Sequence, residues 1–274
     1  MIDLGNNIKI TVNNLTVNYN DAGPDEATII IFIHGFPFNK SMWKKQVEAL
    51  KNNYRVIAYD VRGHGSSEVG DEDFSIELFV KDLVNFMDAL NIDRAILCGL
   101  SMGGYIALNA IANFPERFDA LILSDTSCIA DTPEAREKRL MAIENIQKDG
   151  VEKFADESIK NLFAPESLSK KRIEIAAVRD MIVNTSKQTL YNTLRAFYER
   201  KETCSWLSEI KVPVLIMVGK EDNITPPATA ILMHDKIKDS IIHIIDHAGH
   251  LSNIENSVEF NNLLTKFLPL IKDT

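Results

Sequence analysis

Strand-like and helix-like segments alternate along this 274-residue chain. The alternation predicts an α/β fold: a doubly wound, mostly parallel sheet of about eight strands with helices on both faces. Three observations carry it. Short continuous β-branched runs, Thr28 to Ile33 the plainest, have the character of strands buried on both faces. Segments of helical periodicity, such as Ile76 to Leu90, separate them. From Pro133 to Leu207 the alternation stops, and apolar residues recur only at helical spacing: Leu140, Ile143 and Ile146, then Leu190, Leu194 and Phe197. An inserted cap of two or three small helices is therefore expected over 126–209, with 1–125 and 210–274 forming one core.

In chain order, Ile8 to Val12 and Leu15 to Tyr19 read as a hairpin about Asn13-Asn14, closed by Asp21-Ala22-Gly23-Pro24. After the Thr28 strand comes His34-Gly35-Phe36-Pro37. Ser41 to Leu50 is amphipathic and starts at a serine that can cap a helix. The strand Tyr54 to Tyr59 leads into the Gly-rich loop Asp60-Val61-Arg62-Gly63-His64-Gly65-Ser66-Ser67. Arg94 to Leu100 is a strand, Tyr105 to Asn113 a helix, and Leu121 to Ser124 a further strand. Beyond the insertion lie a strand at Val212 to Val218, a helix after Pro226-Pro227, a strand at Ile241 to Ile245 and a closing helix at Asn256 to Leu268.

Composition excludes several function classes. With 45% hydrophobic and 25% charged residues, there is ample material for a core. A net charge of −9 argues against nucleic acid and against anionic membrane surfaces, both of which call for excess Lys and Arg. The apolar runs are too short to span a bilayer, and Met1 to Asn6 lacks the basic-then-apolar pattern of a signal peptide. Cys98, Cys128 and Cys204 are odd in number and widely spaced, so reduced thiols and a cytoplasmic location are expected.

The chemistry centres on Gly99-Leu100-Ser101-Met102-Gly103. An apolar strand enters it and a helix leaves it. Gly99 and Gly103 let strand and helix close tightly, which forces Ser101 into a strained turn with its hydroxyl free. A serine hydroxyl needs a base, and the base needs an orienting acid. In an open α/β sheet such groups gather at the carboxyl ends of strands. Ser101, Asp222 and His250 sit at such ends, in that order. Asp125 also ends a strand and is the alternative acid; His247 competes with His250. His34 and His64 are better suited to supporting their own loops. A metal site built on His247 and His250 lacks an evident third ligand, so neither metal nor cofactor is expected.

Over nearly its whole length the chain resembles the α/β-hydrolase fold enzymes. The matching segments are His34-Gly35-Phe36-Pro37, the Asp60 to Ser66 loop, Gly99 to Gly104, and Gly219-Lys220-Glu221-Asp222 with Pro226. The ending Ala248 to Glu255 is similar to the branch of 3-oxoadipate enol-lactonases, cofactor-free haloperoxidases or perhydrolases, and small esterases. The resemblance implies an ester or lactone hydrolase with Ser101 as nucleophile, His250 as base and Asp222 as its partner; small to medium acyl groups are expected because Phe36, Phe38 and Met102 crowd the entrance and a cap closes over it. It implies an oxyanion hole from the backbone N–H groups of Phe36 and Met102. Phe36, Phe38, Trp43, Met102 and Leu251 are expected around the substrate, a small-molecule ester or lactone. An enol-lactone substrate would need a cap cation, and Arg136, Arg139, Arg179 and Arg195 are the candidates. The serine at the elbow argues against haloalkane dehalogenases, which use aspartate there, and Leu251 against C–C bond hydrolases, which usually carry Trp. A hydrolase-fold ligand receptor is the non-enzyme alternative, and oligomeric state is not legible.

Overall fold

The computed structural model describes residues 6–271. The first half runs β1 (Ile8–Val12), β2 (Leu15–Ala22), β3 (Ile29–Ile33), α1 (Lys44–Leu50), β4 (Arg55–Tyr59), α2 (Ile76–Ala89), β5 (Ala95–Leu100), α3 (Met102–Asn113) and β6 (Phe118–Ser124). Five helices follow: α4 (Pro133–Asp149), α5 (Val151–Leu162), α6 (Pro165–Lys170), α7 (Arg172–Val183) and α8 (Lys187–Glu199). The chain ends with β7 (Val214–Gly219), α9 (Pro227–Lys236), β8 (Ile241–Ile245), α10 (Ser252–Glu255) and α11 (Ser257–Phe267).

The eight strands form one sheet in the order β1-β2-β4-β3-β5-β6-β7-β8, antiparallel at β1 and β2 and parallel from β4 onward. Alternation along β3 explains its unbroken apolar run. Ile31 and Ile33 face one layer of core with Phe79 and Ile106, while Ile30 and Phe32 face the other with Trp43 and Phe260. Ile30 to Ile33 are fully buried, so neither face tolerates a polar side chain. Truncating Phe32 to Ala would cost about 3–5 kcal/mol by loss of burial and the cavity left behind.

Three local readings change. The residue that caps the turn before α1 is Asn39, not Ser41. Asn39 Oδ1 accepts the Ser41 N–H at 3.0 Å, and Lys40–Trp43 forms a 3₁₀ turn leading into the helix. β6 begins three residues before Leu121, because Asp119 breaks the apolar run in sequence yet turns outward to Arg94 at 2.6 Å. The insertion between β6 and β7 holds five helices rather than two or three. Gly150, with φ at 91°, reverses the chain between α4 and α5, and Pro165 starts α6.

The cysteine expectation is corrected outright. Cys128 and Cys204 form a disulfide across 76 residues of sequence, with Cα atoms 4.9 Å apart. They lie on the two segments that join the insertion to the core, where the Thr203 N–H also donates to the Cys128 carbonyl at 2.8 Å. Widely spaced cysteines meet because an insertion leaves and rejoins the sheet at neighbouring strands. Cys98 remains a buried free thiol on β5, its pKa pushed up by burial.

Candidate active site

Ser101 lies between the end of β5 and the start of α3, with φ 54° and ψ −112°. A non-glycine residue held there costs on the order of 1–3 kcal/mol and persists only where its surroundings fix it. They do so here. Its N–H donates to the Ser124 carbonyl at 3.0 Å, and its carbonyl accepts the Thr126 hydroxyl at 2.8 Å. A Cβ on Gly99 would strike the Gly103 carbonyl, and one on Gly103 would strike the carbonyl of Ile33. Both glycines are thus required by close backbone approach.

Of the two candidate aspartates, Asp222 is the one that meets the histidine. His250 Nδ1 lies 2.9 Å from Asp222 Oδ2, and the two side chains are almost wholly buried. Asp222 Oδ1 accepts the N–H groups of Ile224 and Thr225, at 2.8 and 3.0 Å, and Oδ2 accepts the Thr225 hydroxyl at 2.8 Å. Burial pushes the Asp222 carboxyl up, but the charge and hydrogen bond of His250, with the Thr225 donors, outweigh it and leave it below the usual range. Burial likewise disfavours the His250 imidazolium, and the carboxylates of Asp222, Asp125 and Glu255 more than offset this, so its pKa is raised. With Nδ1 committed to Asp222, Nε2 is the ring nitrogen left for a hydroxyl.

Asp125 sits nearby in a different role. Its Oδ1 accepts the Gly219 N–H at 2.8 Å and its Oδ2 meets the Ser252 hydroxyl at 2.5 Å. Full burial, then the charge of Asp222, pushes its carboxyl well up. It ties β7 to the loop after His250 and makes no hydrogen bond to the imidazole. His247 is three-quarters exposed and pairs with Glu166 at 3.0 Å.

The two remaining motif histidines serve loops. His34 Nε2 accepts the Val61 N–H at 2.9 Å, so the proton is on Nδ1, which donates to the Gly35 carbonyl at 2.8 Å. Burial pushes its pKa down to about 4, and burial with the neighbouring His34 takes His64 to about 3. His34 thereby joins the end of β3 to the loop after β4. Among the described residues, the N–H groups of Phe36 and Met102 are not spent on protein acceptors.

Ser101 and His250 open on one cavity of about 490 Å³. Phe36, Tyr105, Phe154 and Phe197 supply its apolar wall; among the described residues, Lys138 and Arg139 are its charged side chains. Arg139 is held by Asp131 at 2.9 Å and lies over the Phe197 ring. Arg136 stacks on Tyr198, Arg179 pairs with Asp156 and Arg195 is exposed, so of the four arginines only Arg139 reaches the cavity.

Three expected lining residues do not reach it. Trp43 is fully buried between Phe32 and Phe260, Phe38 packs in the same layer beneath the sheet, and Leu251 is fully buried with them. Each is next to a motif in sequence but points into the core. Met102, also expected there, does not line the cavity either, and its side chain is wholly buried in the opposite layer. Sequence reasoning missed Thr225, which donates to the Asp222 carboxylate, and the cap residues Asn161 and Leu162, which line the cavity. The Asp222-to-Thr225 spacing, a side-chain turn pattern, is the signal that could have found Thr225.

Residues 28–257 match the alpha/beta hydrolase fold family. The chain is 31% identical over 256 residues to 3-oxoadipate enol-lactonase 1 of Acinetobacter baylyi, covering 91% of this chain and 92% of that protein. A thermophilic esterase from Thermogutta terrifontis, solved with malate bound, superimposes with a TM-score of 0.91 at 30% identity, covering 97% of this chain and 99% of the esterase. The enol-lactonase of Burkholderia xenovorans LB400 gives 0.89 at 29% identity, covering 96% of this chain and all of that one. With an elbow serine, a buried acid–histidine pair and a shared cavity on an eight-stranded sheet, the chain belongs to the α/β-hydrolase fold family.

Proposed function

We propose that this protein hydrolyses carboxylic esters or lactones of small to medium acyl groups through an acyl-enzyme on Ser101. The observation that supports this most is the Asp222–His250 pair at 2.9 Å, with His250 and the strained Ser101 both lining one cavity. His250 Nε2 takes the Ser101 proton as Oγ attacks the carbonyl carbon. Asp222 keeps Nδ1 protonated and stabilises the imidazolium. Developing charge on the carbonyl oxygen meets the N–H groups of Phe36 and Met102, the latter at the N-terminus of α3, whose dipole favours an anion. The protonated His250 then gives its proton to the departing alkoxide. Water, activated by the same histidine, releases the acid.

Residues 126–209 act in this reading as a cap that selects substrate while the core supplies chemistry, because α4, α5 and α8 all contribute to the cavity wall. A second reading is favoured by a specific observation. Arg139 and Lys138 give the wall a positive character in a chain of net charge −9. An ester or lactone that carries its own carboxylate, as an enol-lactone of a dicarboxylic acid does, would be held there. The Thermogutta esterase solved with malate, a dicarboxylate, is in keeping with this.

The test is a turnover screen over aryl esters, simple lactones and carboxylate-bearing enol-lactones, with Ser101→Ala as control. Turnover abolished by the substitution supports the proposal; turnover of every class near the uncatalysed rate would leave a ligand receptor instead. No helix among the described residues is long and apolar enough to cross a membrane, and a cytoplasmic site of action stays a proposal from the sequence alone. The Cys128–Cys204 bridge weighs against it, since disulfides persist mainly in oxidising compartments. Fractionation of cells decides between the two.

A further inference from the structure

Glu255 sits four residues after the end of the catalytic-histidine loop's Leu251, on α10, and only 3% of it is exposed. Its two oxygens are divided between two parts of the molecule. Oε1 accepts the N–H of Gly249, the residue before His250, at 2.8 Å. Oε2 accepts the N–H of Ala164, between α5 and α6 of the cap, at 2.9 Å. Alongside, the His250 N–H donates to the Leu162 carbonyl at 2.9 Å. The backbones are pressed together: a Cβ on Gly249 would stand 2.8 Å from Ala164 N and 2.9 Å from Leu162 O. No other buried carboxylate among the described residues links cap to core at the histidine.

We propose that Glu255 is a positioning residue that locks the cap segment Leu162–Ala164 onto the His250 loop, so that a seated cap and a correctly placed base form together. The proposal rests on the acyl-enzyme reading above. Two oxygens that both accept amide N–H groups suit the ionised carboxylate, and a buried carboxylate without such donors would be costly. Burial nonetheless pushes its pKa up. Its charge also reaches the imidazole. The carboxylates facing His250 are Asp222 from the β7 loop, Asp125 from the end of β6, and Glu255 from α10; each favours the imidazolium that forms during the reaction. Glu255 is the one of the three whose loss would also free the cap.

Glutamine cannot replace it silently. An amide offers one acceptor oxygen, so its NH₂ group would confront either the Gly249 or the Ala164 N–H. Glu255→Gln should lower kcat roughly 10- to 100-fold, as expected when a base is held less well. It should also move the acid limb of the pH profile to lower pH, since a negative charge has gone. Glu255→Asp keeps the charge but cannot span both amides. It should lower kcat while leaving the acid limb near its original position. Gly249→Ala attacks the same junction from the other side and should raise KM by lifting the cap segment.

The deciding measurement does not depend on turnover. NMR titration of the His250 ring, in Ser101→Ala and in the Ser101→Ala/Glu255→Gln double variant, reads the electrostatic link directly. Its pKa should be above 6.5 in the first and lower in the second. An unchanged His250 titration with an unchanged kcat in Glu255→Gln would overturn the proposal, even in a proven esterase. Absence of esterase turnover in the wild type would overturn the acyl-enzyme reading, while the titration would still report on Glu255.

Discussion

Exchanging the two candidate acids for their amides separates their roles. In Asp222→Asn, the oxygen should stay on the backbone N–H groups of Ile224 and Thr225, which can only donate. That places the NH₂ group where Oδ2 now meets His250 Nδ1 and the Thr225 hydroxyl. A donor facing Nδ1 forces the imidazole into the opposite tautomer, with its proton on Nε2. The base then has no lone pair for the Ser101 hydroxyl. The expected loss in kcat is roughly 10⁴-fold, the size found for a triad aspartate made into asparagine. In Asp125→Asn the same substitution is accommodated. The amide oxygen takes the Gly219 N–H and the NH₂ donates to the Ser252 hydroxyl, so both contacts survive. Less than about a tenfold fall is expected, well short of the misplacement penalty for a base. Steady-state rates on one aryl ester, with circular dichroism to confirm folding, make the comparison. A larger loss in Asp125→Asn than in Asp222→Asn would refute the assignment.

Three further outcomes follow from the geometry. His250 must be neutral to act, and its pKa is raised chiefly by Asp222, so kcat/KM should be full at alkaline pH and fall as pH drops through a value above 6.5; a rate flat from pH 5 to 8 would count against a histidine base. The disulfide closes a span of 76 residues, for which chain entropy suggests up to about 4–5 kcal/mol, or ~8 °C in Tm for a chain of this size. Reduction or the Cys128→Ser/Cys204→Ser variant should lower Tm by several degrees, and unreduced denatured protein should titrate one thiol, not three. With a cavity of about 490 Å³, kcat/KM for p-nitrophenyl esters should peak at short to medium acyl length; a steady rise to the longest chains would contradict a pocket that limits acyl length.

The parts of this molecule that were legible in its sequence are those where one residue type is physically compelled. Gly99 and Gly103 are needed because backbones touch there, so the elbow is visible without a structure. Buried parallel strands admit no polar residue, so β3 and β5 read as continuous runs. Asp222 and His250 could be chosen because they end strands on the same side of one sheet. Direction of a side chain is a different matter. Trp43 and Leu251 adjoin motifs, but the 3₁₀ turn and the histidine loop aim them into the layer under the sheet. Cys128 and Cys204 were misread because pairing depends on where the insertion rejoins the core. Glu255 was invisible as a link because its second partner, Ala164, lies 91 residues away.

A covalent intermediate on Ser101 can be detected by intact-protein mass spectrometry after reaction with a serine-directed aryl phosphonate. One adduct per chain is expected, located by peptide mapping to Ser101, with none on Ser101→Ala and much slower labelling of Asp222→Asn. Labelling at another residue, or equal labelling of Ser101→Ala, would contradict it.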